Sequence, residues 1–478
     1  MNPQPIPLAE VASATGAEVR GALPPRTVFR WVERDSRTLW PGDLFLAVRG
    51  KVHDGHDFVR LAAGRGATAA MVAREWADAH LDEPLPLLVV DEPVAALQRL
   101  ASARRSAMDL TVVGVTGSIG KTSTKEVIAA ILGQRFKTYR SPGNLNSEIG
   151  LPLSILEIEP GTEAAVLEMG GAYAFGELAL LAEIARPSIA VVTNVHPVHL
   201  ERMGTLENIA ITKAELVQAL PPDGVAVLNG DDGRVRAMAD LAPGRVITYG
   251  LGERNDVRAD RVQTHGLRGS TFRLYLDGEA LNVAVPLVGS HAVELALAAI
   301  AVGSALGMHI SEMLPGFDDP ETQVRLLVTP GPNGSMMIDD TYNASTPSVL
   351  SALGLLAEMS PGRRIAVLGD MREMGDVSAE EHRLVGRRSA EVADVVVTYG
   401  ELARVIAQEA AVASAEPDGR DLAVASFGLD ERDELLDHLR GELGEGDIVL
   451  LKGSRGLRME EFVLALQTTP GGDAVLSS

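Results

Sequence analysis

A glycine-rich turn between residues 117 and 122 carries the side chains best suited to bind phosphate and a divalent cation. Gly117 and Gly120 let the backbone approach a ligand closely, and successive N–H groups in such a turn can surround a phosphate. Lys121 supplies a positive charge for the outer phosphates, and the hydroxyl of Thr122 is a hard oxygen ligand for Mg²⁺. The spacing therefore indicates a site for a nucleoside triphosphate.

The segments on either side of the turn are the ones that such a site requires. The run LTVVGVT at 110–116 is apolar and β-branched and predicts a strand, whereas Val127, Ile128 and Ile131 recur at helical spacing after the turn. The alternative is a turn that only joins a strand to a helix, but Gly-Lys-Thr with both flanking elements favours the phosphate site. The motif is shorter than the common P-loop, because Val115 stands where that motif has its first glycine.

Length, charge and composition limit the function classes. A chain of 478 residues exceeds one core and suggests about three domains. The absence of cysteine excludes disulfides and thiol chemistry and fits a cytoplasmic protein, and the N-terminal residues carry no export signal. The most apolar stretch, residues 295–308, is too short to span a bilayer, so we expect no membrane insertion and a buried helix instead. A formal charge of −22 argues against a nucleic-acid partner but leaves room for a polyanionic small ligand.

The pattern of apolar runs predicts an α/β fold in three domains, at 1–105, 106–318 and 319–478, with a linker at 315–321. In the central domain, continuous apolar strands alternate with helices, which indicates a parallel sheet covered on both faces. The third domain should be a doubly wound sheet without a dinucleotide fingerprint. Besides 110–116, the predicted strands are 43–48, 68–72 and 87–90 in the first domain, 164–167, 189–192 and 225–228 in the central domain, and 336–338, 365–368, 395–397, 422–425 and 448–451 in the third.

Polar residues follow three of the central strands. Glu168, Thr193-Asn194 and the segment 229–232 stand where the strands end. Ligands of parallel sheets bind beyond the carboxyl ends of the strands, so these residues should meet around the nucleotide. Glu168 could serve there as a second Mg²⁺ anchor, although a lone glutamate at a strand end is more often solvated.

The short form T-G-x-x-G-K-T resembles the ATP site of the Mur ligase family, which joins amino acids to peptidoglycan precursors. The resemblance implies ATP and Mg²⁺ as cofactors, a first domain that holds the uridine diphosphate of the substrate and a C-terminal Rossmann-like domain. It implies ATP contacts in the turn from Gly117, Ser118, Ile119, Gly120, Lys121, Thr122 and Ser123.

Other family positions can be matched one by one. The stretch 34–58 resembles the uridine-diphosphate site, where Ser36 and Arg37 could offer a hydroxyl and a bidentate cation, and Asn144 lies in a loop similar to another family motif. Read as physics alone, both stretches are turns. His199 and Lys213 have the spacing of a family pair beside the metal site, in which the lysine is often carbamylated.

The segment 289–296 matches a family motif that helps bind adenine. His291 is retained, whereas Ala292 and Leu295 replace the two asparagines of the motif. In the third domain, the motifs at 339–344, 368–375 and 452–456 resemble the branch that adds D-alanyl-D-alanine. The resemblance implies that Arg325, Asp340 and Tyr342 reach the nucleotide, and that Asn343, Lys452, Ser454 and Arg455 contact the dipeptide or a phosphate.

The resemblance therefore implies a monomeric cytoplasmic ligase that joins D-Ala-D-Ala to UDP-N-acetylmuramoyl-tripeptide through an acyl phosphate. The implied catalytic residues are Lys121, Glu168, His199 and Lys213, and the implied metal ligands are Thr122, Glu168, His199 and Lys213. A ligase for another amino acid would share the central domain and differ in the third. A non-catalytic nucleotide-binding homologue would keep the fold and lose turnover.

Overall fold

The structure, a computed structural model, describes residues 4–50, 52–171, 174–198, 200–289, 291–319, 327–359, 362–416 and 419–468. Its strands form three main sheets, which lie within residues 18–90, 111–285 and 327–452. Within this described part, the helices are too short or too polar to cross a membrane.

The N-terminal sheet has five strands in the order β2-β7-β6-β5-β4, with β2 antiparallel and the others parallel. A separate antiparallel ribbon pairs β1 with β3. The elements are β1 Ile6–Pro7, α1 Leu8–Thr15, β2 Glu18–Arg20, β3 Val28–Phe29, β4 Val32–Glu33, β5 Leu44–Leu46, α2 Val59–Gly64, β6 Ala69–Ala73, α3 Arg74–Ala79, β7 Leu87–Val90 and α4 Pro93–Ser106.

The central sheet has nine strands in the order β16-β15-β14-β13-β12-β11-β8-β10-β9. The elements are β8 Thr111–Thr116, α5 Lys121–Leu132, β9 Thr138–Arg140, α6 Gly150–Leu156, β10 Ala164–Glu168, α7 Glu177–Ala185, β11 Ile189–Val192, α8 Leu200–Met203, α9 Leu206–Gln218, β12 Val225–Asn229, α10 Gly233–Ala237, β13 Arg245–Gly250, β14 Val257–Thr264, β15 Ser270–Leu276, β16 Glu279–Val285, α11 Ala292–Ala305 and α12 Ile310–Met313.

Two sequence expectations for this domain need correction. The sheet is mixed, because β14, β15 and β16 form an antiparallel extension. The strands of this extension alternate polar and apolar residues and lack the continuous apolar runs of the other central strands. The predicted linker 315–321 is wrong in its first part: Leu314–Asp318 forms a 3-10 helix that buries Phe317 and packs Gly316 against α5. The rest of that linker lies outside the described residues, apart from Asp319.

The third sheet has six strands in the order β17-β18-β22-β19-β20-β21, all parallel except β17. The elements are β17 Leu327–Pro330, β18 Met336–Asp339, α13 Thr346–Glu358, β19 Arg364–Gly369, α14 Ser378–Val392, β20 Val395–Tyr399, α15 Arg404–Ser414, β21 Ala423–Phe427, α16 Arg432–Glu442, β22 Ile448–Lys452 and α17 Glu460–Leu466. Separate apolar clusters cover its two faces, as the predicted doubly wound sheet requires.

Apolar packing also joins the first two sheets. Helix α4 packs against α6 and α7, and Leu97 and Leu100 share one continuous buried cluster with residues of the central domain. On the opposite face of the central sheet, α5 and α11 pack together in a second cluster. The helix predicted at 295–308 is therefore a buried helix, α11, and it supports the turn that begins α5.

Candidate active site

The glycine-rich turn lies between β8 and α5, at the carboxyl end of the central sheet. Gly117 and Gly120 have φ values of +149° and +79°, which favour glycine. A Cβ atom on Gly117 would lie 1.9 Å from Thr193 Oγ1, so the close approach of the neighbouring loop also demands glycine. Lys121 Nζ folds back over the turn and donates to the carbonyl oxygens of Gly117 and Ser118, at 2.8 and 3.1 Å.

The loop after β11 holds the turn in shape. Asn194 Oδ1 accepts the N–H of Ile119 at 2.9 Å, and Thr193 Oγ1 donates to the Ile119 carbonyl at 2.8 Å. Ser118 Oγ accepts the N–H of His196 at 2.9 Å. These contacts do not use the N–H groups in the first turn of α5. Such groups lack intrahelical partners and are chemically suited to bind a phosphate.

Glu168, at the end of β10, lies directly beside the turn and is almost fully buried. Its Oε2 accepts the hydroxyl of Thr122 at 2.5 Å, and its Oε1 accepts Asn146 Nδ2 at 2.7 Å. The described residues contain no group of three or more His, Asp or Glu side chains that could hold a metal ion. Mg²⁺ commonly takes one or two carboxylates and keeps several waters, so the adjacent hard oxygens of Thr122 and Glu168 fit this ion.

Lys213 on α9 is a buried lysine that lines the site. Only 4% of its surface is exposed, and its Nζ donates to the Gly171 carbonyl at 2.7 Å. Burial, with a further contribution from the charge of Lys121, lowers the pKa of Lys213 to about 7. A large fraction of this amine is therefore neutral, and hence nucleophilic, near neutral pH.

A cavity of about 2000 Å³ lies between the central and third domains and is lined by residues of both. The third domain contributes Asp340 and Lys452, whose side chains form a 2.7 Å ion pair, and Lys452 Nζ also donates to the Asn343 carbonyl at 2.9 Å. The guanidinium of Arg455 lies over the ring of Tyr342, 5.0 Å from its centroid. The cavity thus has cationic side chains at both ends and is large enough for an extended ligand.

Most predicted site residues line this cavity. They are Gly117, Ser118, Ile119, Gly120, Lys121, Thr122, Ser123, Asn144, Glu168, Lys213, His291, Asp340, Tyr342, Asn343, Lys452, Ser454 and Arg455. His199 and Arg325 lie outside the described residues.

Ser36 and Arg37 do not line the cavity. Ser36 is buried, and the highly exposed Arg37 pairs with Asp35 at 2.7 Å. Their neighbour Arg34 is the cavity residue from the first domain.

The region matched to the adenine motif is more apolar than the motif predicts. The His291 ring is about half exposed, 3.5 Å from Glu294, and hydrogen bonding to that carboxylate raises the pKa of His291. Ala292 is buried, and Leu295 lies 4.0 Å from the Cβ position of Gly120. An apolar side chain therefore takes the place of an amide above the turn.

Sequence reasoning did not select the cavity residues Arg34, Asn146 and Arg372. Asn146 lay in a recognised loop, but its contact with Glu168 depends on how that loop folds back. Arg34 and Arg372 are single arginines, which are usually solvated surface residues. These two arginines can be recognised as cavity residues only in the structure, where separate domains lie next to each other.

Three family models match most of this chain. The family models that match are the Mur ligase family catalytic domain at residues 29–105, the Mur ligase middle domain at 115–303 and the Mur ligase glutamate ligase domain at 324–455. A relative from Bacillus subtilis (strain 168), UDP-N-acetylmuramoyl-tripeptide--D-alanyl-D-alanine ligase, is 35% identical over 93% of this chain and 94% of its own length. The chain belongs to the Mur ligase family.

Solved structures of Mur ligases share the whole architecture. A crystal structure of MurF from Acinetobacter baumannii has a TM-score of 0.85 and 29% identity, and covers 98% of this chain and 99% of its own. MurF ligase from Thermotoga maritima in complex with ADP has a TM-score of 0.74 and 30% identity, with 91% and 96% covered. The predicted family and three-domain α/β fold are confirmed.

Proposed function

We propose that this Mur ligase joins D-alanyl-D-alanine to UDP-N-acetylmuramoyl-tripeptide in an ATP-dependent, ADP-forming reaction of peptidoglycan precursor synthesis. The observation that carries the proposal is the single cavity between a short P-loop and the cationic third-domain residues, in a chain 35% identical to a D-alanyl-D-alanine ligase over nearly its full length. A small apolar or polar ligand would not need charged residues at both ends of the cavity.

The chemistry follows from the poor reactivity of a carboxylate as an acyl donor. The γ-phosphoryl group of ATP passes to the terminal carboxylate of the tripeptide, which gives an acyl phosphate and ADP. The amine of D-Ala-D-Ala then attacks the acyl carbon, phosphate leaves with its bonding electron pair, and the amine loses a proton. Lys121 stabilises the negative charge on the transferring phosphoryl group, and the N-terminal turn of α5 binds the phosphates.

Thr122 and Glu168 are proposed to hold Mg²⁺, because their oxygens already lie within 2.5 Å of each other. When bound, this ion would neutralise phosphate charge and orient the phosphoryl group. Lys213, with its pKa lowered to about 7, is suited to add CO₂ and become an anionic oxygen ligand. Together with His199, a carbamylated Lys213 is proposed to serve a second ion.

The remaining site residues are proposed to bind the substrates. Ser36, Arg37 and Asn144 are assigned to the uridine-diphosphate substrate, and Asp340, Tyr342, His291 and Arg325 to the nucleotide. Asn343, Lys452, Ser454 and Arg455 are assigned to the dipeptide or to phosphate. Arg455 fits a carboxylate because, within the described part of the chain, its guanidinium lies on Tyr342 and has no carboxylate partner.

We further propose that the protein is a cytoplasmic monomer with domain boundaries near residues 105 and 318. All three substrates of the proposed reaction are soluble small molecules. The boundaries follow the separation of the chain into three sheets.

The test is phosphate release from MgATP with UDP-N-acetylmuramoyl-tripeptide, with and without D-Ala-D-Ala, followed by mass spectrometry of the product. Release that depends on both substrates, with formation of the pentapeptide product, is the expected result. Product formation with another amino acid in place of the dipeptide would reassign the specificity. Absence of release from protein that binds ADP would overturn the proposed reaction.

A further inference from the structure

Lys125 is a fully buried lysine that the proposed chemistry does not use. It lies on α5, one turn after Lys121, and its side chain has no exposed surface. Its Nζ reaches the carbonyl oxygens of Ser141 and Gly143, at 2.5 and 3.2 Å, and Glu126 Oε1 at 2.9 Å. Three acceptors thus match the three N–H donors of an ammonium group, which explains how the charge can be buried.

The carbonyls that Lys125 binds belong to the segment 141–146. This segment is hydrogen-bonded to Glu168, the carboxylate proposed to bind the metal. Ser141 Oγ accepts the backbone N–H of Glu168 at 3.1 Å. At the other end of the segment, Asn146 Nδ2 donates to Glu168 Oε1 at 2.7 Å, and the Asn146 carbonyl accepts the N–H of Gly170 at 2.8 Å. The segment therefore grips both the backbone and the side chain of Glu168.

Helix α5 holds Glu168 by two routes. Thr122 donates directly to Oε2, and Lys125 acts on Oε1 through the segment 141–146 and Asn146. A carboxylate held at both oxygens has little freedom to rotate. Its orientation is therefore set before any ligand arrives, which is the arrangement expected behind a metal ligand.

We propose that Lys125 is a positioning residue that orients Glu168 for the divalent cation through the segment 141–146. The proposal rests on the proposed function, because that function assigns Mg²⁺ to Thr122 and Glu168. A purely structural role would affect nucleotide binding in general. The positioning role instead requires that loss of Lys125 reduces the increase in nucleotide affinity caused by Mg²⁺ more than it reduces the affinity without Mg²⁺.

The experiment measures ADP affinity by isothermal titration calorimetry in EDTA and in Mg²⁺, on the full chain. In Lys125→Met we expect the tightening of ADP by Mg²⁺ to fall by about tenfold, with ADP affinity in EDTA unchanged, since loss of an outer partner of a metal ligand typically costs 10–100-fold. Asn146→Ala should show the same loss. The double variant should lose little more than either single variant, because both act on one path.

Lys137→Met is the matched control. Lys137 follows the same helix, is about half exposed, and makes its own carbonyl bond to Pro160 and ion pair with Glu159. It has no described contact with the segment 141–146, so its loss should leave the Mg²⁺ effect intact. Hydrogen–deuterium exchange should also rise across residues 141–150 in Lys125→Met and not in Lys137→Met.

Different failures have different meanings. If Mg²⁺ tightens ADP equally in wild type and Lys125→Met, or if the double variant loses the sum of the two single effects, the positioning role is overturned and the proposed function stands. If Mg²⁺ has no effect on wild type, the assigned metal site falls and the positioning role with it. If Lys125→Met does not fold, Lys125→Gln and Asn146→Ala decide, and an unchanged Mg²⁺ effect in either one overturns the proposal.

Discussion

At the scale of single residues, two positions of the turn before α5 illustrate its requirements: one has no room for a side chain, and the other places a positive charge over the turn. Gly117 cannot carry a Cβ atom because Thr193 occupies that space. Lys121 lies over the same turn, with its Nζ close to two backbone carbonyls. Both residues can therefore be tested without disturbing the hydrophobic core.

Lys121→Ala should reduce ligation by about 100-fold or more, since removing one donor to a developing charge costs about 10²–10³ in rate. The side chain is only partly buried and borders the cavity, so the melting temperature should change little. Turnover is measured by phosphate release and folding by circular dichroism. Lys137→Ala serves as the control, and wild-type-like ligation by purified Lys121→Ala would refute the assignment.

Gly117→Ala should abolish nucleotide binding, because the new methyl group would force the turn and the loop after β11 apart. Gly161→Ala is a matched control: Gly161 also has a positive φ, +76°, but has open space around its Cβ position. The control should show only the modest cost of backbone strain, about 1 kcal/mol. ADP affinity from calorimetry separates the two effects, and equal affinities in both variants would contradict the steric argument.

At the scale of elements, loops at the strand ends are shaped by buried side chains behind them. His382 on α14 is an example: its Nε2 accepts the N–H of Met371 at 3.1 Å, and its Nδ1 donates to the Ser378 carbonyl at 2.7 Å. The ring thereby anchors the loop after β19, from which Arg372 reaches the cavity. His382 has a structural role in this loop, and the sequence alone had left its role undecided.

Burial lowers the pKa of His382, against opposing effects of the Ser378 carbonyl, Asp370 and Glu381. The unfolded chain takes up this proton near pH 6.5, whereas the folded chain does so only at lower pH. The free energy of unfolding should therefore fall as the pH decreases from about 6.5, and His382→Gln should remove that part of the dependence. Urea unfolding at several pH values measures it, with the exposed His265→Gln as control; an identical pH dependence in wild type and His382→Gln would contradict the prediction.

At the scale of the whole molecule, the domains are joined unequally. The first and central domains share a buried apolar cluster through α4. The central and third domains meet across the cavity, where Arg202 and Glu373 form a 3.1 Å ion pair between partly exposed side chains. Such a pair contributes only about 0–1 kcal/mol, so we expect the third domain, rather than the first, to move when substrates bind.

The shared cluster predicts that the first two domains unfold together. All three tryptophans, Trp31, Trp40 and Trp76, lie in the first domain, whereas the glycine-rich turn proposed to bind the nucleotide lies in the central one. Added ADP should therefore raise the midpoint of the tryptophan-fluorescence transition in urea, although no tryptophan lies near the nucleotide site. If ADP does not change the urea midpoint of the fluorescence transition, in protein shown to bind ADP, the two domains unfold separately.

Leu100→Ala should weaken this coupling. Leu100 is fully buried in the shared cluster, and its truncation should lower the free energy of unfolding by about 2–5 kcal/mol. Leu81→Ala, at a residue that is 80% exposed, should have little effect. Fluorescence and circular dichroism, recorded on the same samples, would show whether the whole chain or only the first domain responds; equal stability of the two variants would contradict the role of α4.

The sequence by itself determined the parts of this protein that depend on neighbours along the chain. The turn at 117–122, its flanking strand and helix, and the polar strand ends could be predicted because local periodicity and glycine spacing dictate them. The third-domain motifs also pointed to the right family. The antiparallel extension β14–β16 was missed because its strands alternate polar and apolar residues, whereas the other central strands were recognised by continuous apolar runs.

Tertiary structure alone decided which distant residues meet. The contacts of Asn146 with Glu168 and of Lys125 with the backbone carbonyls of the segment 141–146 join residues that are 22 and 16–18 positions apart, and no local pattern encodes them. Arg34 and Arg372 become cavity residues only when three domains come together. How loops fold and how domains contact each other depends on packing throughout the chain. Only this packing brings these otherwise ordinary side chains into the site.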